Sequence, residues 1–310
     1  MDRQTGRDIV ARSRKNPLIS LADLPFRAGD IWNAAVVPFE GKYLMLFTVE
    51  ELEGHFSIYR ADSTDGEEFT IDTEPFMVRR QSAPDAMYES VGIRDPRITP
   101  IDGEYFITYV AAGDHGLRIA LARTRDFRSV ERLGYLTQVD VKNGVIFPRK
   151  IAGRYVLLKR PNAGSSIWVC YSDDLEFWGG CTAVMTPRGG FWDSTRIGPS
   201  APPIETAEGW LLIYYGEKDT SAGPLVRLGA ALLDRDDPSR VLARSNVPIL
   251  APREKYERIG DVPNVVFSTG VLLDNGMLNV YYGASDSCIC LGMASLEVIV
   301  RACFDSGREF

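Results

Sequence analysis

Short apolar runs recur along the chain, each entered through a glycine followed by an aromatic or long apolar side chain. The pattern reads Gly41-Lys42-Tyr43-Leu44-Met45-Leu46-Phe47, then Gly103-Glu104-Tyr105-Phe106-Ile107-Thr108-Tyr109 and Gly153-Arg154-Tyr155-Val156-Leu157-Leu158. It returns as Gly209-Trp210-Leu211-Leu212-Ile213-Tyr214-Tyr215 and as Gly276-Met277-Leu278-Asn279-Val280-Tyr281-Tyr282. A short strand and turn precede each marker, as in Ala34-Ala35-Val36-Val37-Pro38 or Arg97-Ile98-Thr99-Pro100. A second strand follows and often ends in acidic turn chemistry, as in Ser63-Thr64-Asp65-Gly66, Thr124-Arg125-Asp126-Phe127 and Tyr171-Ser172-Asp173-Asp174. Such Asp residues bond their own backbone and tolerate positive φ. β-branched and aromatic strands between these turns predict an all-β chain, with short helices only in the N-terminal segment or loops.

The marker glycines recur 50 to 67 residues apart, a spacing that fits one four-stranded sheet per repeat. The predicted fold is a five-bladed β-propeller, which manages its sheet edges by radial repetition and leaves a central channel lined by the first strand of each blade. A β-sandwich with a second domain explains the alternation but not five equivalent markers. Residues 1–310 read as one domain, with blades over about 31–300, an N-terminal segment and a short tail from Arg301 to Phe310 that is a loose end or an oligomer contact.

A net charge of -7 and a pI near 5.1 exclude a nucleic-acid or anionic-membrane surface, since phosphates need a basic face. No apolar run approaches a membrane span, and Met1-Asp2-Arg3-Gln4 opens without a signal-peptide core. The five cysteines lack metal-ligand spacing, and Cys288 and Cys290 share a strand face as packed rather than bridged thiols. The expected setting is cytoplasmic and reducing.

One repeat differs from the others. Only Val91-Gly92-Ile93-Arg94-Asp95-Pro96-Arg97-Ile98 sets a carboxylate between two arginines ahead of its hairpin. Asn33 and Asp95 both stand eight residues before their hairpin glycine, and Asn264 lies near the corresponding place in the last repeat. Polar groups converging on one channel opening mark a ligand site. A nearby Arg lowers a carboxyl pKa, whereas a general acid needs it raised, so Asp95 carries an electrostatic tension. The only histidines are His55 and His115, which excludes a Ser/His/Asp triad or a His-based metal site, and no phosphate loop or dinucleotide fingerprint is present. Aromatic residues cluster near the blade openings, Trp32, Trp192, Tyr214 and Tyr215 among them. Carboxylates with Arg and Lys support remain, the chemistry that cleaves glycosides. No metal and no cofactor is required.

Ile93-Arg94-Asp95-Pro96-Arg97-Ile98 resembles the Glu-Asp-Pro-Arg segment of glycoside hydrolase family 130, the β-mannoside phosphorylases and β-mannosidases. Ordered matches extend over about residues 30–296, including Asn33-Ala34-Ala35, Phe147-Pro148-Arg149-Lys150-Ile151, Lys159-Arg160-Pro161, Trp192-Asp193-Ser194-Thr195-Arg196-Ile197-Gly198, Tyr256-Glu257 and Tyr281-Tyr282-Gly283-Ala284-Ser285-Asp286. The resemblance implies a five-bladed propeller and an inverting cleavage of a β-mannoside oligosaccharide. It makes Asp95 the general acid, its proton passing through a hydroxyl of the mannose. Asn33, Arg196 and Asp286 match positions that hold the mannose, with Arg97 and Tyr215 as further substrate contacts. Lys142 and Arg160 lie where phosphorylases bind phosphate, which would be the co-substrate.

The departures bear on the acceptor. Tyr214-Tyr215-Gly216 stands where phosphorylases read Tyr-His-Gly, Thr48 replaces a common Arg, and Arg94 replaces an acid. Exchanging a possible cation for a phenol weakens a dianion site. Glu217 follows directly, and a hydrolase needs a carboxylate base about 6.5–9.5 Å from the acid to activate water. Glu257 resembles a residue that both branches keep. On these residues hydrolysis is favoured over phosphorolysis to mannose 1-phosphate. A five-bladed furanosidase and a non-catalytic sugar-binding propeller are the alternatives, and a homo-oligomer is compatible with either.

Overall fold

The computed structural model describes residues 8–82 and 84–305; the polar opening at Met1 and the last five residues of the tail lie outside them. The predicted markers are hairpin turns. Glu40-Gly41, Asp102-Gly103, Ala152-Gly153 and Asn275-Gly276 all carry positive φ at both residues, the type I′ geometry whose twist suits antiparallel strands. The acidic turns also recur with one set of bonds. The Oδ1 atoms of Asp65, Asp126, Asp174 and Asp234 each accept two backbone N–H groups two and three residues on.

Among the described residues the strands form four hydrogen-bonded sheets of antiparallel meanders. The eight-stranded sheet holds two meanders, beginning at Asp30–Phe39 and Gly92–Ile101, joined by the parallel pairing of Phe56 with Gly92. The other sheets begin at Val141–Ile146, Arg196–Pro199 and Val266–Asp274. In the last sheet the outer positions are filled from the other end of the chain: Ala11–Arg12 and Ile19–Ser20 both pair with Cys288–Ser295.

Apolar cores lie between successive meanders. One joins Leu46 and Ile58 to Ile107 and Ala120, and another joins Ile119 and Leu121 to Ile146 and Leu157. Val156 and Val169 meet Trp210 and Leu212, while Leu228 and Leu232 meet Val280 and Tyr282. A further core packs Tyr281 and Leu291 of the last sheet against Phe47 and Val49 of the first. The first strands of the meanders come together. At their C-terminal ends they surround a mostly apolar opening edged by Pro38, Pro100, Pro148, Pro202 and Leu273, and at their N-terminal ends the polar pocket described below.

Two features depart from the sequence reading. Arg301–Phe304 is no loose end but the last turn of an α-helix, Leu296–Phe304, which buries Ile299, Val300 and Cys303 against Leu228, Leu232 and Leu278. Nine residues with three buried positions give too short a period to stand out in the sequence. Cys170 and Cys181 form a disulfide between the paired strands Ile167–Ser172 and Gly179–Met185 of the sheet that begins at Val141–Ile146, a pair that cysteine spacing did not single out. Cys288 and Cys290 are free, buried and 3.9 Å apart at sulfur, as expected for packed thiols.

Candidate active site

The side chains at the N-terminal ends of the first strands are aimed by a shared backbone device. Asn33, Asp95 and Asn143 adopt left-handed φ of 51°, 57° and 56°, and at each the ladder slips, between Trp32 and Ala34, Arg94 and Arg97, and Lys142 and Val145. A bulge of this kind turns one side chain out of the strand alternation, and Asn and Asp tolerate the conformation better than other side chains. Asn264 shares the backbone conformation, with φ of 62°, but its carbonyl accepts from Val226 N–H and its side chain is not in the pocket wall.

The result is a cavity of about 210 Å³. Eight of the ten residues expected from the sequence line it: Asn33, Asp95, Lys142, Arg160, Arg196, Tyr215, Glu217 and Asp286. Arg94, Asn143, Trp32 and Phe267 join them. Of the other aromatic candidates, Trp192 and Tyr214 stack on each other inside the core at 5.6 Å.

Asp95 is buried. Its Oδ1 accepts from Asn33 Nδ2 at 2.8 Å, and its backbone N–H donates to Thr48 Oγ1 at 2.9 Å. Burial pushes its carboxyl up, but Arg94, Lys142, Arg97 and the Asn33 amide outweigh burial and hold it below the usual carboxylate range. Asp95 is therefore a carboxylate at neutral pH. Asp286 is the opposite case. Burial, then the charges of Asp95 and Asp261, push it up to about 7 against the pull of Lys142 and Arg94. Lys142 is lowered to about 8, chiefly by burial, with Asp95 opposing and Arg94 and Arg160 adding to it.

Cross-strand register assembles the remaining wall. Lys142 is directly opposite Arg160, and Arg196 directly opposite Glu217. Arg160 is held by neutral oxygens, donating from Nε to Asn143 Oδ1 at 3.1 Å and from Nη1 to Asn162 Oδ1 at 2.7 Å. Tyr215 lies across from Gly198, where a Cβ would meet the tyrosine ring at 2.5 Å; the glycine makes room for that ring. Burial pushes the Tyr215 phenol up to about 12, so it stays neutral despite Arg160 and Arg196.

Two expected site residues stand elsewhere. Arg97 is buried and is not in the pocket wall, donating to Ser200 O at 2.7 Å and to the carbonyl of Asp95 at 2.9 Å; the latter bond holds the Asp95 backbone. Glu257 is fully buried and saturated. It accepts from Arg12 Nε and Nη2 at 2.7 and 2.8 Å, from Tyr282 Oη at 2.9 Å and from the N–H groups of Arg253 and Glu254. With its oxygens taken and the pocket elsewhere, it ties the N-terminal strand to the last sheet and has no access to a water or a sugar. Sequence reasoning missed Asn143, whose signal was Asn143-Gly144 at the start of a strand, a dipeptide that also reads as an ordinary turn.

Residues 3–304 match the family model described as β-1,4-mannooligosaccharide phosphorylase. The chain belongs to glycoside hydrolase family 130. It is 35% identical over 296 residues to a 1,2-β-oligomannan phosphorylase of Thermoanaerobacter sp. (strain X514), covering 92% of this chain and 96% of that protein. It is 31% identical over 305 residues to a β-1,4-mannooligosaccharide phosphorylase of Ruminococcus albus, covering 95% and 90%. Among solved structures, the β-1,2-mannobiose phosphorylase from Listeria innocua in complex with β-1,2-mannobiose superposes with a TM-score of 0.88 at 30% identity, over 96% of this chain and 99% of that one. The resemblance carried by Arg94-Asp95-Pro96-Arg97 thus holds over nearly the whole chain, and the protein is an enzyme of this family.

Proposed function

We propose that the protein cleaves a β-mannoside by inverting phosphorolysis, releasing mannose 1-phosphate. The observation that carries this reading is the charge of the pocket wall, in which Arg94, Lys142, Arg160 and Arg196 outnumber Asp95, Asp286 and Glu217. A surplus of cations in a half-closed cavity suits a phosphate dianion, whose charge-assisted bonds are strong there. The curated relatives above are named as phosphorylases. The preference for hydrolysis drawn from Glu217 and the missing histidine finds no support in them. The core between the last meander and the first supports the reading of the scaffold as a five-bladed propeller with the site at one end of its axis.

Asn33 and Asp286 hold the mannosyl unit beside Asp95, while Lys142 and Arg160 hold phosphate across the ring, joined by Arg196, which the resemblance gave to the mannose but which stands with Glu217 on the Arg160 side of the pocket. A phosphate oxygen attacks the anomeric carbon as the glycosidic bond on the opposite face breaks, so the configuration inverts. The leaving oxygen takes a proton that originates at Asp95 and passes through a sugar hydroxyl. The P–OH proton of HPO₄²⁻ replaces it, so the carboxyl returns to its starting state. Phosphate also resolves the tension at Asp95. A dianion beside Arg94 and Lys142 offsets the charges that hold this carboxyl low, so acceptor binding favours the protonated acid.

Initial rates with β-1,2- and β-1,4-mannobiose against phosphate concentration test the reading. Saturable dependence on phosphate is expected, with Asp95→Asn lowering the rate by about 10²–10⁴-fold. Cleavage at full rate without phosphate would overturn it in favour of hydrolysis.

A further inference from the structure

One carboxylate in the acceptor end of the pocket is unused by this mechanism. Glu217 Oε2 lies 3.6 Å from Arg196 Nη1, a charge pairing outside hydrogen-bond range. Arg196 Nε is buried and has no hydrogen-bond partner among the described residues. Arg160, on the same wall, is oriented by the amide oxygens of Asn143 and Asn162. Between them sits the buried Tyr215 ring, which feels Arg160, Arg196 and Glu217 together. Of the charged groups that line the cavity, Glu217 is thus the carboxylate set beside Arg196 and Arg160, and it is loosely held there.

We infer that Glu217 is the resident counter-ion of the phosphate site. It balances Arg196 and Arg160 while the pocket is empty and yields that place when phosphate enters, so its charge sets how tightly phosphate and mannose 1-phosphate are held. This rests on the phosphorolysis reading and refines it. A loose pair with a part-exposed Arg contributes little stability, so a dianion with more acceptor oxygens displaces it readily. A bidentate pair would resist. Once displaced, Glu217 still lies on the pocket wall beside the bound anion, and like charges at that range repel in a medium of reduced dielectric. The same repulsion favours release of the phosphorylated product, which carries the same charge.

The test compares wild-type enzyme with Glu217→Gln and Glu217→Asp, using inorganic phosphate and β-mannobiose. Glu217→Gln is expected to lower the phosphate KM and the product-inhibition constant of mannose 1-phosphate together, by about fivefold or more, with a much smaller change in the KM for the disaccharide. Glu217→Asp, which keeps the charge, restores values near wild type. An unchanged or raised phosphate KM in Glu217→Gln would overturn the inference, as would an equal loss of turnover at all phosphate concentrations. Failure of the underlying reading is visible separately, because the wild-type enzyme itself would then show no phosphate dependence. In that case, loss of water-driven cleavage in Glu217→Gln would assign Glu217 as a base instead.

Discussion

Asp95 and Asp286 share one cavity and are pushed to opposite ends of the carboxylate range. Asp95 sits under Arg94 and accepts from Asn33, whereas Asp286 is shielded from water and repelled by Asp95. The split follows from environment alone, since both are aspartates of one pocket. It also predicts a pH dependence of stability in the substrate-free enzyme. Asp286 rises from 3.8 to about 7 on folding, so the folded state binds its proton more tightly than the unfolded one. The associated stability is complete below about pH 4 and is lost as pH climbs through 7. Asp286→Asn, which cannot ionise, should therefore match wild type near pH 4 and be more stable at pH 8 by up to about 4 kcal/mol. Denaturant unfolding at the two pH values checks this, and a difference that is constant with pH would contradict it. At this scale the sequence disclosed Asp95 through its Asp-Pro-Arg setting. It did not disclose that Arg97 turns beneath the backbone to donate to the Asp95 carbonyl, because residue type and spacing carry no side-chain direction.

Among the strands, the bulges explain which positions were legible. Asn33 and Asp95 keep one distance from their hairpin glycines because both bulges open strands of ten residues, Asp30–Phe39 and Gly92–Ile101. Asn143 opens the shorter Val141–Ile146 strand, so the same device falls at another spacing and escapes the pattern. Glu257 was misread for a different reason. Its Tyr256-Glu257 setting resembles a family site, but its partner Arg12 is 245 residues away in the chain, and no local pattern reports such a contact. The pair joins the Ala11–Arg12 strand to the helical turn Lys255–Arg258. Arg12→Ala leaves a buried carboxylate without its guanidinium, a loss on the order of 3 kcal/mol. Denaturant unfolding should show that loss, while the KM for β-mannobiose changes less than twofold by this account. A large KM change with unaltered stability would return Glu257 to the site.

Across the whole molecule, repetition was the most legible feature, because among the described residues each meander repeats its hairpin turn, four of the five repeat the acidic turn, and each packs an apolar face on the next. The same repetition makes the chemistry asymmetric and local: the scaffold brings every first strand to one cavity, and single residues on each decide what that cavity does. The N-terminal strands complete the last sheet, and their two-residue length explains why the sequence pattern passed over them. In the proposed reaction a proton from Asp95 and a phosphate held by Arg160, Arg196 and Lys142 act on opposite faces of one sugar ring. Proton and phosphorus NMR of the first products from β-mannobiose and phosphate tests this most directly. The prediction is α-mannose 1-phosphate in equal amount to the released sugar; free mannose without the phosphate ester, or the β-anomer, would contradict it.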